Sequence, residues 1–196
     1  MTTLTQTGLV LETEKVLLRP VETSDFDTFL QLAQDREMWQ YFSLDLSDAA
    51  QLRNWMDILF TDKAERTRLP FTIVEKATGL VAGSMSLMNI SFHHLRLEIG
   101  ASWLGRSFRS TGINLHAKYA MIRYAFEELK FERVEFKTDV LNTRARKGLQ
   151  KAGGVEEGIL RSHMTMWNNR RRSSVFYSIL KAEWPGLQQT IFSNIQ

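Results

Sequence analysis

The stretch that decides the fold joins the end of a strand to the start of a helix through a polar loop. It reads Gly100-Ala101-Ser102-Trp103-Leu104-Gly105-Arg106-Ser107-Phe108-Arg109-Ser110-Thr111-Gly112-Ile113-Asn114. Before the loop, apolar residues from Leu95 to Trp103 alternate with polar or small ones, the period-two pattern of a strand buried on one side. After the loop, apolar residues recur at spacings of four and three, which predicts a helix with one buried stripe. The stripe comprises Leu115, Tyr119, Ile122, Phe126 and Leu129.

The first turn of this helix predicts an anion-binding site. Its backbone N–H groups have no partner inside the helix, and the helix dipole favours negative charge there. The residues from Arg109 to Asn114 are therefore candidates for holding a phosphate or diphosphate, and Gly112 lets a ligand approach the backbone closely. An ordinary strand-to-helix turn with one glycine is the alternative interpretation.

Composition limits the classes of protein that this chain can form. Its 196 residues fit one domain that buries about 70% of its unfolded surface. The absence of cysteine excludes disulfides, thiolate metal sites and a cysteine nucleophile. A net charge of +3 is too small to indicate a nucleic-acid partner. The start, Met1 to Gly8, does not resemble a signal peptide, and no apolar run approaches the roughly 20 residues of a membrane span, so we expect a cytoplasmic protein that does not enter a membrane.

The rest of the chain predicts a single domain of alternating strands and helices. The predicted strands are 16–20, 71–75, 80–90, 94–103, 133–140, 159–166 and 174–181. Besides the helix after Gly112, we expect helices capped by Ser24, Ser47 and Asn142, the first running to about Glu37. Gly153 is placed to end the last of these. The ends, about 1–14 and 186–196, are expected to be loosely held.

Four stretches, in this order and at these spacings, resemble the GNAT N-acetyltransferase superfamily, most closely its RimJ/RimL-like branch. They are Val16-Leu17-Leu18-Arg19-Pro20, similar to the opening strand; Glu98-Ile99-Gly100 with Trp103-Leu104-Gly105, similar to the central strand; Arg109-x-x-Gly112-x-Asn114, similar to the acetyl-CoA loop; and Asn142 with Leu149-x-Lys151-x-Gly153, similar to the next helix. Three positions depart from the usual pattern. Asn114 replaces Gly or Ala, Ala145 replaces Ser, and Gly154 replaces an aromatic residue.

The resemblance implies an α/β (α+β) fold with a mixed, mostly antiparallel sheet of about seven strands and about four flanking helices. The sheet would open into a V-shaped cleft for acetyl-CoA between the strand ending near Trp103 and the strand starting near Arg133. A bulge from Gly100 to Ser102 would free backbone groups to pair with the pantetheine arm. The implied cofactor contacts are Trp103, Leu104, Arg109, Ser110, Thr111, Gly112, Ile113, Asn114 and Asn142.

The implied activity is acetyl-CoA-dependent transfer of an acetyl group to a primary amine by direct attack on the thioester. The acceptor would be a protein N-terminal amine or a small-molecule amine, in a pocket formed by the segment from Trp39 to Phe60 and the late hairpin. The alternatives are a non-catalytic acyl-CoA-binding regulatory domain and, less favoured by the sequence, a nucleic-acid module. A homodimer is left open.

Two side chains are the candidate catalytic residues. Glu98 is predicted to be the general base, directly or through water, because its strand leads straight into the cofactor loop. The alternatives for Glu98 are a substrate-orienting role and a solvated surface position. Tyr177 is the candidate acid for the departing thiolate, or else a core tyrosine whose hydroxyl bonds to backbone. A backbone N–H near Trp103 or Leu104 is expected to stabilise the carbonyl oxygen.

Several polar residues keep two interpretations each. Asn142 either caps its helix, contacts the cofactor, or does both. A basic face formed by Arg144, Lys147 and Lys151 either meets a nucleotide phosphate or is simply solvated. The run from Arg170 to Arg172 is either a solubilising turn or a site for an acidic substrate or a ribosomal-protein partner. His116, placed on the polar side of its helix, and His163 are candidate pocket residues, and no metal site is predicted because no histidine has a partner at ligand spacing.

Overall fold

The secondary structure comes from a computed structural model that describes residues 8–195, which form eight strands and five α-helices. The strands are β1 (Leu11–Glu12), β2 (Val16–Pro20), β3 (Arg68–Glu75), β4 (Val81–Ser91), β5 (Arg96–Leu104), β6 (Arg133–Asp139), β7 (Val155–Thr165) and β8 (Arg171–Leu180). The helices are α1 (Phe26–Leu32), α2 (Ala49–Ala64), α3 (Ile113–Arg123), α4 (Thr143–Lys151) and α5 (Trp184–Gln189). The sequence predicted the order of the seven longer strands and of helices α1 to α4, but it missed the short elements β1 and α5.

All eight strands form one sheet in the order β1-β2-β3-β4-β5-β6-β8-β7. Every neighbouring pair is antiparallel except β5 and β6, which run parallel. The parallel pairing joins only Arg96–Glu98 to Arg133–Glu135, although both strands continue for several residues beyond it. The sheet therefore opens between β5 and β6 beyond Glu98. The predicted mixed, mostly antiparallel sheet is confirmed, with slightly more strands than expected.

A bulge in β5 lies where the sheet opens. Ser84 of β4 pairs with Trp103, whereas Ser86 pairs with Gly100, so two residues of β5 face one residue of β4. Ala101, one of these two, has a φ of +50°, a conformation that few non-glycine residues adopt. The structure thus has the bulge that was expected from Gly100 to Ser102.

Two apolar cores lie on opposite faces of the sheet. The larger core packs α3, α4 and α5 against alternate strand residues such as Leu97, Ile99 and Phe136. The smaller core packs α1 and α2 against the other face around Trp103. Trp103 meets the rings of Phe29, Trp39 and Trp55 at centroid distances of 5.2, 5.6 and 6.3 Å. Side chains that alternate along β5 consequently enter two different environments.

Helix α3 is buried on more sides than its periodicity predicted. Of the predicted stripe, Tyr119, Ile122, Phe126 and Leu129 are buried, and Leu115 is partly buried. His116, however, is not on a polar side. It is 6% exposed, and its Nδ1 lies 3.1 Å from Oγ1 of Thr13 in the turn after β1. That placement was wrong because the chain near β1 covers this side of the helix.

The two predicted N-caps on the α1 and α2 side differ from the structure. Ser24 lies inside a 3₁₀ turn, and α1 ends at Leu32 rather than near Glu37, because Arg36–Tyr41 forms a separate 3₁₀ turn. The cap of α2 is Asp48, whose side chain accepts a hydrogen bond from the Gln51 amide. The neighbouring Ser47 donates instead to Asp45.

The predicted end of α4 is confirmed. Gly153 has a φ of +89°, and the amide of Gly154 donates to the carbonyl of Leu149 at 3.0 Å. A left-handed glycine with this hydrogen bond closes the last turn of a helix. The last two strands, by contrast, begin earlier than predicted, at Val155 and Arg171.

The segment after Pro185, which was expected to be loosely held, packs against the rest of the molecule in the described residues. Phe192 and Ile195 are 2% and 8% exposed and belong to the larger core, so this part of the expectation is corrected. Their apolar side chains cover Tyr119 and Trp184 beside α3, with ring contacts from Phe192 to both. Residues 1–7 of the other expected loose end lie outside the described residues.

Candidate active site

The loop between β5 and α3 presents main-chain amides at the opening of the sheet. Within residues 8–195, no protein acceptor receives a hydrogen bond from the amides of Ser110 through Asn114. The first helical hydrogen bonds come from Leu115 and His116, which both donate to the carbonyl of Gly112. Five consecutive amides at the positive end of a helix are suited to an anion such as a diphosphate. The loop is therefore suited to hold a phosphate or diphosphate group.

Gly112 gives this loop its shape. Its φ of +93° is in the left-handed region, and the residue is solvent-exposed. A Cβ atom built there would lie 3.4 Å from Nζ of Lys15. Lys15 Nζ also lies 3.5 Å from the carbonyl oxygen of Thr111, which places a positive charge beside the loop. Sequence reasoning missed Lys15 because it precedes the loop by almost one hundred residues.

Arg109 does not direct its side chain at the candidate phosphate site. Its guanidinium donates to the Asp35 carboxylate at 2.7 Å, to the Leu104 carbonyl at 3.0 Å and to the Met38 sulfur at 3.2 Å. Its amide donates to the carbonyl of Arg106. The guanidinium of Arg109 thus anchors the loop to the connection between α1 and α2, and the cofactor contact of this residue stays a prediction.

Asn142 caps α4 and also faces a cleft. Its Oδ1 accepts a hydrogen bond from the Ala145 amide at 3.0 Å, as the capping interpretation predicted. The cleft has a volume of about 220 Å³ and lies between α4 and the connection after α1. Its lining residues include Met38, Tyr41, Arg109 and Asn142. Asn142 is therefore a cap that still has its amide nitrogen available to a ligand.

Trp103 and Leu104 form the edge of β5 that faces the opening. Both side chains are buried, at 4% and 9% exposure. The parallel register with β6 stops at Glu98, so the β6-facing edge of β5 beyond that residue has no strand partner. An extended ligand can add itself to such an edge through main-chain hydrogen bonds. This geometry suits the pantetheine arm and a backbone donor for the acetyl oxygen.

Glu98 lies at the point where the strands separate, and it is buried. Its side chain is 4% exposed, so the alternative of a solvated surface glutamate is wrong. Oε2 accepts hydrogen bonds from Asn89 Nδ2 at 2.7 Å and from Lys137 Nζ at 2.9 Å. Oε1 lies over Gly100, where a Cβ atom would approach it to 2.8 Å. Gly100 therefore makes room for the carboxylate at the apex of the opening.

Cationic side chains from three other strands surround this carboxylate. Besides Lys137 of β6, the guanidinium groups of Arg68 on β3 and Arg172 on β8 are each 8% exposed and interact electrostatically with Glu98. Burial lowers the pKa of both arginines from its ordinary value, and the nearby carboxylates oppose this. Within residues 8–195, Arg68 Nε is buried without an acceptor. Sequence reasoning missed this cluster because its members meet only through the sheet.

A wall beside Glu98 is formed by the hairpin of β7 and β8 and by the 3₁₀ turn after α1. Trp167 Nε1 donates to the Trp39 carbonyl at 3.0 Å, and Arg172 donates to the Tyr41 carbonyl at 3.3 Å. Arg170 donates to the Gln40 carbonyl and forms an ion pair with the fully buried Asp139. The solubilising-turn interpretation of the triple arginine therefore fails for Arg170 and Arg172. We call the surface formed by the β7–β8 hairpin and this turn the acceptor wall, after the acetyl acceptor for which the sequence predicted a pocket here.

Comparison with known proteins assigns this architecture to a family. The family model described as "Acetyltransferase (GNAT) domain" matches residues 15–155. The chain belongs to the GNAT acetyltransferase family. It is an N-acetyltransferase, as the resemblance of its motifs predicted. The family uses acetyl-CoA, and the loop before α3, Glu98 and Asn142 lie within the matched range.

Relatives of this GNAT enzyme carry the same description. An uncharacterized N-acetyltransferase of Bacillus licheniformis, p20, is 30% identical over 90% of this chain and 98% of its own length. YdaF of Bacillus subtilis, named as a ribosomal N-acetyltransferase, is 36% identical over 55% of this chain and 58% of its own length. The crystal structure of Mycobacterium smegmatis RimJ in complex with CoA-disulfide shares the fold, with a TM-score of 0.79 at 20% identity over 96% of this chain and 95% of that one.

Tyr177 of the GNAT enzyme is not near Glu98. It belongs to the larger core on the opposite face of the sheet from Glu98. Its hydroxyl donates to Glu156 at 2.8 Å and accepts from Arg146 at 3.2 Å. The alternative interpretation expected a backbone partner for this hydroxyl, but both partners are side chains. Burial is the main reason that the pKa of Tyr177 is raised. The structure separates the two candidate catalytic residues onto opposite faces of the sheet.

His163, the other histidine predicted to line a pocket, has a side-chain partner. His163 Nδ1 lies 3.0 Å from Ser174 Oγ, and burial, helped by nearby cations, lowers the pKa of His163. In the part of the GNAT chain that the structure describes, no cluster of His, Asp and Glu side chains has the arrangement of a metal site. No helix among the described residues is both long and apolar enough to span a membrane.

Proposed function

We propose that this GNAT enzyme transfers the acetyl group of acetyl-CoA directly to a primary amine. One observation carries the proposal: the five amides from Ser110 to Asn114 have no protein acceptor in residues 8–195 and follow the end of β5, the strand whose pairing with β6 stops at Glu98. A diphosphate on these amides directs the attached pantetheine arm along the edge of β5. The acetyl group then lies near the apex of the opening, beside Glu98.

Two groups of the chain support the transfer. Acetyl-CoA supplies the acetyl thioester. Main-chain donors of β5 near Trp103 and Leu104 stabilise the acetyl oxygen as it gains charge. Glu98 accepts a proton from the attacking amine, directly or through water, while the new C–N bond forms and the C–S bond breaks. The proton passes on to the departing sulfur. Tyr177 has no part in this scheme because of its place on the opposite face.

The acceptor enters, in this proposal, between the acceptor wall and the bulge in β5. The partly exposed Tyr41 and the exposed Trp167 supply aromatic surface there. The name of YdaF favours a protein N-terminal amine, and the small volume of the neighbouring cleft is compatible with a small amine. Both acceptor classes therefore belong in the test.

Calorimetry of CoA binding tests the proposal together with a Gly112→Ala variant. The wild-type chain is expected to bind CoA, and the variant to bind it at least about tenfold more weakly, because alanine is strained at a φ of +93°. Gly148→Ala, at a position in α4 with open space around its Cβ, is the matched control and should leave the affinity unchanged. Failure of the wild-type chain to bind CoA would refute the proposal.

Turnover is tested by thiol release from acetyl-CoA across small amines and peptides with free N-termini. Peptides with a blocked N-terminus and no lysine serve as the matched controls. Release of CoA that depends on a free amine, with the acetylated amine seen by mass spectrometry, is the expected result. Tight CoA binding without acetylation of any amine would instead indicate a non-catalytic acyl-CoA-binding domain.

A further inference from the structure

Arg172 is a buried arginine in the acceptor wall. The residue is 8% exposed, and its guanidinium donates to Ser174 Oγ at 2.9 Å and to the Tyr41 carbonyl at 3.3 Å. Within residues 8–195, no carboxylate forms an ion pair with it. Asp139 and Glu98 interact with it electrostatically only from farther away. The positive charge of Arg172 therefore has no direct counter-charge in this part of the chain.

The two carboxylates that act on Arg172 already have other cations as partners. These ion pairs are Glu98 with Lys137 at 2.9 Å and Asp139 with Arg170. Arg68, the other buried arginine of this cluster, lies 3.6 Å from Asp62. When these pairs are matched, the charge of Arg172 is left over. A buried charge without a direct partner is costly, so the surroundings of Arg172 favour an anionic ligand.

Further hydrogen-bond donors lack a partner on the same face of the sheet. Among residues 8–195, the fully buried side-chain polar atoms without one are Arg68 Nε, Ser86 Oγ and Trp103 Nε1. Leu69 and Leu87 contact the larger core, so strand alternation places Arg68 and Ser86 on the opposite face, with Glu98. Trp103 belongs to the smaller core on that face. Each of the three atoms can donate, so this face favours a ligand with acceptor oxygens, such as a carboxylate.

We propose that the acetyl acceptor of this enzyme carries a carboxylate besides its primary amine, and that Arg172 binds that carboxylate. The inference rests on the proposed function and names its substrate class. A guanidinium presents its donors in a planar fork that matches the two oxygens of a carboxylate. Nε and Nη1 of Arg172 have acceptors in Ser174 and Tyr41, whereas Nη2 has none in residues 8–195 and is not fully buried. Nη2 is therefore available to a ligand.

Charge also sets the direction in which such an acceptor binds. Its carboxylate is repelled by Glu98 and attracted by Arg172, whereas its amine is suited to Glu98 in the proposed reaction. The acceptor thus lies with its amine towards the apex of the opening and its carboxylate towards the acceptor wall. Arg172 is a specificity-determining residue in this arrangement and takes no part in the transfer itself.

Pairs of acceptors that differ only in a carboxylate test the inference on the wild-type enzyme. One set pairs amino acids with their carboxamides. The other set pairs peptides that have a free N-terminus and either aspartate or asparagine as the second residue. In at least one set, kcat/KM per neutral amine should be at least about tenfold higher for the carboxylate member, because the amide loses a charge-assisted hydrogen bond. The set that shows the preference tells whether the carboxylate belongs to a small amine or to a peptide.

An Arg172→Gln variant tests whether Arg172 causes this preference. The ratio of kcat/KM within a pair should approach unity, and a general loss of activity does not affect a ratio measured within one protein. Arg171→Gln, the same change at the neighbouring exposed arginine of β8, is the matched control and should keep the wild-type ratio. Calorimetry of CoA binding shows whether each variant is folded. If Arg172→Gln is not, Arg172→Lys, which keeps the charge but not the fork, should lower the ratio several-fold.

The outcomes separate this inference from the proposed function. Equal kcat/KM within every pair for the wild-type enzyme, or a preference that the Arg172 variant retains, would overturn the inference and leave the proposed function intact. If the wild-type enzyme acetylates no amine of either set or of the wider amine panel, the proposed function is refuted, and the inference falls with it.

Discussion

At the scale of single residues, the burial of Glu98, the candidate general base, limits what each of its carboxylate oxygens can do. Its Oε2 is held by an amide and an ammonium group, and its Oε1 lies over Gly100 at the opening of the sheet. The two oxygens therefore have different roles available to them. One is fixed by Asn89 and Lys137, and the other lies beside Gly100, just before the bulge in β5.

Replacing Glu98 by Gln should lower kcat about 100-fold, because the amide cannot accept the proton of the attacking amine. The pH–rate profile of the variant should lose its dependence on an acidic group. Asn89→Ala, which removes one donor and keeps the carboxylate, is the control and should retain the profile. An unaltered profile in Glu98→Gln would leave Glu98 a substrate-orienting residue and no base.

Lys118 gives a second prediction, on stability against pH. Burial lowers the pKa of Lys118 from 10.5 to about 8 in the folded protein. Below pH 8 the group is charged in both the folded and unfolded states, so the full cost of burial, about 3 kcal/mol at most, is present there. That cost disappears as the pH rises from about 8 to 10.5, so folding stability should increase across this interval.

Urea unfolding at pH 7 and pH 10 can measure this change. The free energy of unfolding of the wild-type protein, relative to that of Lys118→Met, should rise between the two pH values. Using the difference between the two proteins removes the titration of the other lysines and the tyrosines. A constant difference would mean that Lys118 reaches solvent and is not desolvated.

At the scale of elements, the loop before α3 depends on a contact that is distant in the sequence. Arg109 ties it to Asp35, in the connection after α1, and both side chains are less than one-fifth exposed. The loop amides at 110–114 are thus held in place from the side of the acceptor wall. A change in the position of the acceptor wall should consequently also change how rigidly the loop before α3 is held.

An Asp35→Asn variant tests this connection. It weakens one charge-assisted hydrogen bond and should cost about 1 kcal/mol of stability. CoA affinity should fall several-fold, and hydrogen exchange of the amides from Arg106 to Gly112 should become faster. Asp57→Asn, a matched change at an exposed position of α2, should affect neither measurement. Unchanged exchange in the Asp35 variant would show that the loop is ordered without this contact.

The elements also show what could be read from the sequence. The buried stripe of α3, the glycine that begins it and the alternation along β5 are local patterns, and all three were predictable. The partners of Glu98 were not, because Arg68, Lys137 and Arg172 come from strands that only the sheet brings together. His116 was misplaced for the same reason, since a helical pattern alone does not show which neighbouring segment covers each side.

At the scale of the whole molecule, the two faces of the sheet have separate tasks. The larger core under α3 and α4 supports the candidate cofactor loop, whereas the smaller core supports Glu98 and the acceptor wall. The sequence predicted that Glu98 and Tyr177 act as base and acid in the same reaction. Strand alternation puts them on different faces, a conclusion that required the register of β8 with β6.

A Trp167→Phe variant tests whether the two sides of the site are independent. It removes the hydrogen bond from the hairpin to the Trp39 carbonyl and keeps an aromatic ring at an exposed position. The KM for the acceptor amine should rise several-fold, while the Kd for CoA and the Tm change little. An equal effect on CoA binding would contradict the division of tasks between the faces.

The cluster of Trp39, Trp55 and Trp103 gives the enzyme an internal optical probe. The rings of Trp39 and Trp55 lie 5.6 and 6.3 Å from that of Trp103, close enough to share excitation energy, and the emission of these indoles depends on local polarity and quenching. Trp39 is also bonded to the hairpin, so an acceptor that moves the hairpin will disturb this emission. Intrinsic fluorescence can therefore report such a movement without a label and without turnover.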